Sequence, residues 1–329
     1  MTIDFVSVSL IAVFSAMAVY TLAFIAYTLD LAKRSAPAPA AVAPAAVLNA
    51  SSVATTSVGS STVGGKATAL LERITTDAPV AGRSREMKIA FALTIIGWAL
   101  HVIAALSRGI AAGRVPWANM FEFSLTATAI IVGVFIFVQF WQDLRFLGAY
   151  VIGFSLILLG VATTNFYVDV IPLPASLQSG WLVIHVFVAT LGTAFFSLGA
   201  GLSLVQLLQA RREAGRSAPR FMATLPSAEK LENLAYRLIL VGFVFWTFTL
   251  IAGAIWAQRA WGRYWGWDTK EVWTFIIWTI FAGYIHARAT RGWRGSRSAW
   301  LAIVGFSAVM FNFTIVNLFF KGLHAYSGL

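Results

Sequence analysis

Apolar runs long enough to cross a bilayer recur along this chain, and inside hydrocarbon a backbone has no water to bond. Each run must therefore close its hydrogen bonds within itself, as a helix, or within a closed barrel. Runs of about 17 to 25 residues suit helices, because a spanning strand needs only about ten. Eight are found, at approximately 5–29, 89–107, 121–141, 147–164, 181–208, 236–257, 272–289 and 299–320. The expected fold is an all-α polytopic membrane protein of about eight transmembrane helices. Composition agrees, at 59% hydrophobic and 11% charged, where an average soluble domain carries roughly 25% charged residues.

The first run has no basic segment before it and exceeds the apolar length of a signal peptide, so residues 1–34 read as a retained transmembrane anchor. Residues 35–87 open with A-P-A-P-A-A-V-A-P-A-A and continue through Ser, Thr and Gly, with too few bulky side chains to build a core. They read as a disordered linker, and residues 88–329 as the main transmembrane domain. The segment Ser217–Tyr236 is basic and amphipathic, which suits a helix lying on the membrane surface.

Charge fixes an expected orientation. The linker and its flanks, Arg145, the stretch Arg211–Arg237 and the stretch Arg288–Arg297 together hold 18 of the 24 Lys and Arg. Arg108, Arg114, Arg259, Arg263, Lys270 and Lys321 make up the other 6. By the positive-inside rule the richer set is cytoplasmic, which puts both termini and the 261–273 segment outside. In such a chain the net charge of +11 concerns membrane orientation, and no nucleic-acid partner is expected.

That 261–273 segment reads W-G-R-Y-W-G-W-D-T-K-E-V-W, with four tryptophans and one tyrosine. Interfacial belts scatter single rings over several helix ends, whereas here they crowd one loop. A flat, polarizable, apolar ligand accounts for that density. With no cysteine in the chain, soft metal ligands are confined to four histidines and six methionines. His185 lies four residues past Trp181, and His324 lies just beyond the last span, so both fall at the level of the tryptophan loop. Two imidazoles across an aromatic platform are what a bis-histidine haem requires. His286 is 18 residues beyond Asp268, about 27 Å along a helix, and so belongs to the opposite face of the bilayer. His101 reads as a hydrogen-bonded histidine inside the bundle.

The same residues carry a resemblance. The tryptophan motif from Trp261 to Trp273, followed by Trp278, the R-x-x-x-x-G-R-x-P-W-A-N-M-F-E stretch from Arg108 to Glu122, and W-L-x-x-H ending at His185 resemble the cytochrome c assembly proteins. Within that family they resemble the haem-handling subunit of the two-component system, of the CcsA or ResC type, called CcsB in actinobacteria. The resemblance covers roughly residues 86–329, and Thr269 stands where the family usually has Pro. It implies a bacterial plasma-membrane protein that binds haem b, presents it outside the cytoplasm and supports its thioether attachment to Cys-x-x-Cys-His apocytochrome c.

It further implies axial ligation of the haem iron by His185 and His324, and an intramembrane haem ligand at His286 whose second ligand comes from a partner. The ring would be held by Trp261, Trp265, Trp267 and Trp273, with Arg263 and Asp268 also at the site. Asp268 and Glu271 would tie the loop to its helix, while Arg263, Lys270, Arg108 and Arg114 are the cations available for haem propionates. The implied partners are a ResB-type membrane protein with a large extracytoplasmic domain, apocytochrome c and thiol-reducing thioredoxin-like proteins. A haem exporter without ligation chemistry, or a component of the multi-component assembly pathway, would use the same features.

Overall fold

The computed structural model describes residues 4–36, 84–173, 178–320 and 322–324. Most of the expected linker, residues 37–83, and Lys321 lie outside the described residues. Among the described residues eight long helices run back and forth: α1 Phe5–Ser35, α2 Arg85–Ala112, α3 Met120–Val138, α4 Gly148–Asn165, α5 Gly180–Glu213, α6 Ala228–Trp261, α7 Thr269–Thr290 and α8 Ser296–Phe313. A short α9, Ile315–Phe319, follows α8. Seven of these segments are long and apolar enough to cross a membrane, the last of them α8 and α9 taken together. Helix α7 is less apolar because Trp, Thr and Tyr fill many of its positions.

Local chemistry sets the helix ends. Ser84, Asn119, Ser179 and Ser227 each accept a hydrogen bond from a first-turn backbone N–H of α2, α3, α5 and α6, satisfying donors that a helix start leaves open. Gly113 and Gly262 end α2 and α6 in the left-handed conformation, at φ 63° and 71°, where a side chain is disfavoured.

The expected surface helix at 217–236 takes another form. Only a 3₁₀ turn, Arg220–Thr224, precedes Pro226, and Ala228–Tyr236 is the opening stretch of α6. With Ser227 as cap and no helix breaker before Trp261, α6 runs on as 34 residues, about 51 Å, well beyond the roughly 30 Å of a hydrocarbon core. The last span is also modified, because Thr314 at φ −92°, ψ −73° separates α8 from α9.

Helix pairs α1/α2 and α5/α6 pack closely along their lengths. One core joins α1, α2, α3 and α4 with parts of α5 and α6. A second joins α5 and α6 to α7 and α8, where Phe196 and Phe281 stack with centroids 3.7 Å apart. Between membrane helices the stabilisation comes from dispersion contacts, so close approach matters. Gly97 illustrates this: a Cβ there would lie 2.7 Å from the Tyr20 ring, and its absence lets Tyr20 reach His101.

Candidate functional site

At the end of the bundle that carries the 113–119 and 262–268 connections, helices α3 to α8 surround a cleft. Its enclosed free volume is about 230 Å³, and it opens through a mouth to the surface. Apolar side chains dominate the walls, among them Met120, Ile131, Phe154 and Val309, and both His185 and His324 face the cleft.

His185 sits near the start of α5, and its Nδ1 lies 3.0 Å from the Thr249 carbonyl oxygen of α6. A carbonyl only accepts, so Nδ1 carries the proton and donates, leaving a lone pair on Nε2. Gly253, one turn along α6, makes this approach feasible: a Cβ there would stand 2.8 Å from His185 Cε1. His324 arrives from the other side of the site. Its Nδ1 donates to Asp268 Oδ2 at 2.5 Å, which in the neutral ring leaves Nε2 with a lone pair. Among the described residues no hydrogen bond takes up either Nε2. An imidazole whose other N–H is held by a carbonyl or carboxylate is the usual form of a metal-ligating histidine.

Asp268 is the hinge of the loop. It opens α7 with Glu271 in a capping box, and Glu271 Oε2 also accepts from the Gly266 and Asp268 N–H groups at 2.8 and 3.1 Å. The hydrogen bond from His324 holds the Asp268 carboxyl below the usual carboxylate range, against a smaller opposing effect of burial. Asp268 thus acts on the site through His324, consistent with a tethering role. The preceding Trp267 has φ +57°, a conformation uncommon for a bulky residue, and such strain persists only where the surroundings fix it.

The rings divide into groups. Trp256 of α6, 2% exposed, lies against both imidazoles, stacked on His185 at 6.1 Å and edge-on to His324 at 5.6 Å. Sequence reasoning missed it. Its signal is the face shared by Trp246, Thr249, Gly253 and Trp256, spaced three to four residues apart on α6. Trp261 packs on Trp256 at 4.6 Å and on His324 at 4.8 Å. Trp265 lines the cleft and meets Trp267 edge-on, while Trp267 itself is 79% exposed. Trp273 packs against Phe311 in the α7/α8 seam, centroids 4.4 Å apart, and is not part of the cleft lining. Successive helix residues diverge by about 100°, so Lys270 and Thr274 face the cleft where Trp273 does not.

The cations are also sorted. Arg108 and Arg114 are committed elsewhere: both bond Glu122, at 3.0 and 2.6 Å. Arg108 also reaches the Val168 carbonyl at 2.5 Å and Arg114 that of Ile171 at 3.2 Å. They therefore pin the α4–α5 connection, and the expectation that they serve an anionic ligand is corrected. Arg263 is exposed and, among the described residues, reaches only the Gly266 carbonyl, at 3.4 Å. Lys270 is the one Lys or Arg in the lining among the described residues.

His286 lies at the far end of α7 with an exposed side chain, two residues before Arg288, which is bound to Glu232 and Asn233. The structure does not bring it to the cleft, as the depth argument requires. His101 is fully buried: Nε2 donates to the Leu125 carbonyl at 2.8 Å, and Nδ1 lies 3.3 Å from the Tyr20 hydroxyl, which can only donate to it. Both ring nitrogens are satisfied within the bundle.

Residues 117–324 match the family described as Cytochrome C assembly protein, an interval whose first and last residues, Trp117 and His324, both line the cleft. The chain is 34% identical over 259 residues to the cytochrome c biogenesis protein CcsA of Guillardia theta, covering 73% of this chain and 86% of that one. It is 33% identical over 273 residues to the CcsA of Microcystis aeruginosa, with 68% and 83% covered. Among solved structures, the cytochrome c heme lyase CcmF shares the fold, with a TM-score of 0.64 at 15% identity, and this chain spans 49% of its length. A polytopic helical bundle whose cleft is bounded by the matched interval, with relatives at this identity over most of their length, places the chain in the cytochrome c assembly protein family.

Proposed function

We propose that this protein is the haem-handling subunit of a cytochrome c synthase. In this reading haem b is a substrate, held in the cleft on the extracytoplasmic side with its iron between Nε2 of His185 and Nε2 of His324. The observation that carries it is the matched state of the two imidazoles: each donates its Nδ1–H to a fixed acceptor, each keeps Nε2 for a ligand, and Trp256 touches both. Trp261 and Trp265 supply further aromatic surface, Trp267 and Arg263 lie at the exposed rim, and Trp273 braces α7 from behind.

The chemistry supplied by haem is its pair of vinyl groups, across each of which one thiol of a Cys-x-x-Cys-His peptide adds, forming one S–C and one C–H bond without net redox change. The protein's own share is position. Thr249 and Asp268 fix the imidazole orientations, Gly253 admits His185 to α6, and the apolar walls exclude water from the macrocycle faces. The charge distribution supports cytoplasmic placement of the 139–144, 214–227 and 291–295 connections, in a bacterial plasma membrane. Residues 88–329 are the haem-handling domain and residues 1–34 an added anchor. His286, exposed at the opposite end, is suited to receive haem jointly with a membrane partner of the ResB type; apocytochrome c and thiol-reducing thioredoxin-like proteins complete the set.

The test is a covalent product. Co-expressed with such a partner and a reporter carrying Cys-x-x-Cys-His, the protein yields a reporter whose haem survives denaturing electrophoresis, and His185→Ala or His324→Ala abolishes the product. Haem delivered to the reporter only in extractable form marks the protein as an exporter and overturns the synthase reading.

A further inference from the structure

The cleft is apolar almost throughout, yet its walls carry hydrogen-bond donors that lack a matching acceptor among the described residues. Lys270 projects into it from the first turn of α7. Its Nζ bonds Asn317 Oδ1 at 2.5 Å and the Asn312 carbonyl at 3.3 Å. An ammonium has three donors, and among the described residues no carboxylate lies within ion-pair distance of this one. Glu271, the acid in the same lining, spends Oε2 on backbone N–H groups.

Across the cleft, Asn119 is only 4% exposed. Its Oδ1 caps α3 by accepting from the Glu122 N–H at 2.9 Å, while Nδ2 has no partner among the described residues although Asn119 lines the cleft. The two sides are joined beside these groups, because Phe123, one turn past Asn119, stacks on Phe313, the neighbour of Asn312, at 5.2 Å.

A partly buried cation whose nearby carboxylate, Asp268, is already bonded to His324, and a buried amide with no acceptor among the described residues, both cost stability that a ligand can restore. We infer that Lys270 and Asn119 form a carboxylate-recognising subsite that holds the acidic edge of the ligand and so sets how the macrocycle turns about the axis through its iron. The inference rests on the proposed haem site and specifies its polar end, where the propionates bind. Arg108 and Arg114 are excluded because neither lines the cleft and both are held by Glu122 and by the Val168 and Ile171 carbonyls. Fixing the propionate edge here orients the opposite edge, which bears the vinyl groups, relative to the incoming thiols.

The experiment compares binding of haem and of haem dimethyl ester, which keeps the iron and ring but lacks both carboxylates, to the full chain and to Lys270→Met. The intact protein is expected to prefer haem by about tenfold or more, the usual worth of a hydrogen bond to a charged group. Lys270→Met should bring the two ligands within about threefold of each other while the ester keeps its bis-histidine spectrum. Equal binding of both ligands by the intact protein overturns the subsite and leaves the haem reading standing. Failure to bind either ligand overturns both. A folded Lys270→Met that keeps the full preference also overturns the assignment, and if that variant does not fold, Lys270→Gln and the wild-type comparison decide.

Discussion

His324 and Asp268 are 56 residues apart in sequence and joined by a 2.5 Å hydrogen bond from Nδ1 to Oδ2. The bond couples the tail after α9 to the start of α7, so the tryptophan loop and one of its two histidines form a single unit. Because Asp268 is held below the ordinary carboxyl value of 3.8 by this bond, the sign of its pH dependence follows. A depressed folded pKa contributes stability that is complete above the unfolded value and is lost as pH falls through the folded one.

The stability difference between the wild type and Asp268→Asn should therefore be constant from pH 7 down to about pH 5 and shrink only on further acidification. Thermal unfolding of both proteins across that range checks this. A difference that already collapses between pH 7 and 6 contradicts the assigned tie.

Gly253 decides how near His185 can come to α6, and Gly253→Ala places a methyl 2.8 Å from Cε1 of the ring. The imidazole must give way, at a cost of about 1–3 kcal/mol for overpacking. Haem content, read from Soret absorbance against protein, should fall by more than half while the helical circular dichroism is unchanged.

His101 should behave in the opposite way. His101→Ala leaves the Leu125 carbonyl and the Tyr20 hydroxyl without the ring that pairs them, a loss of about 1–3 kcal/mol. The variant should melt earlier in detergent yet bind haem as the wild type does; loss of haem at intact fold would give His101 a role in the site.

Glu122→Gln tests the buried ion triad. Removing its charge leaves Arg108, 1% exposed, and Arg114 without an anion, and breaking a buried pair typically costs about 3–5 kcal/mol. Limited proteolysis should reveal early opening of the 166–173 connection, whose Val168 and Ile171 carbonyls the two arginines hold.

The helical bundle was legible in the sequence because bilayer-length apolar runs leave the backbone few alternatives. His185, His324 and the tryptophan loop could be placed at one level by counting along helices. What sequence arithmetic gives is depth, whereas direction around a helix axis needs neighbours. Trp256 therefore escaped notice inside a long apolar run, and Trp273 was grouped with cleft rings although it faces Phe311. Arg108 and Arg114 looked free because their acceptor, Glu122, lies 14 and 8 residues away across a helix junction. The surface helix expected before α6 merged with it, since nothing between Ala228 and Trp261 interrupts helix propagation.

The central claim is that one haem iron is held by His185 and His324 together. Electron paramagnetic resonance of the purified ferric protein tests it most directly. The expected result is a low-spin bis-histidine spectrum that each of His185→Ala and His324→Ala converts to another form. An unaltered bis-histidine spectrum in either variant would contradict it.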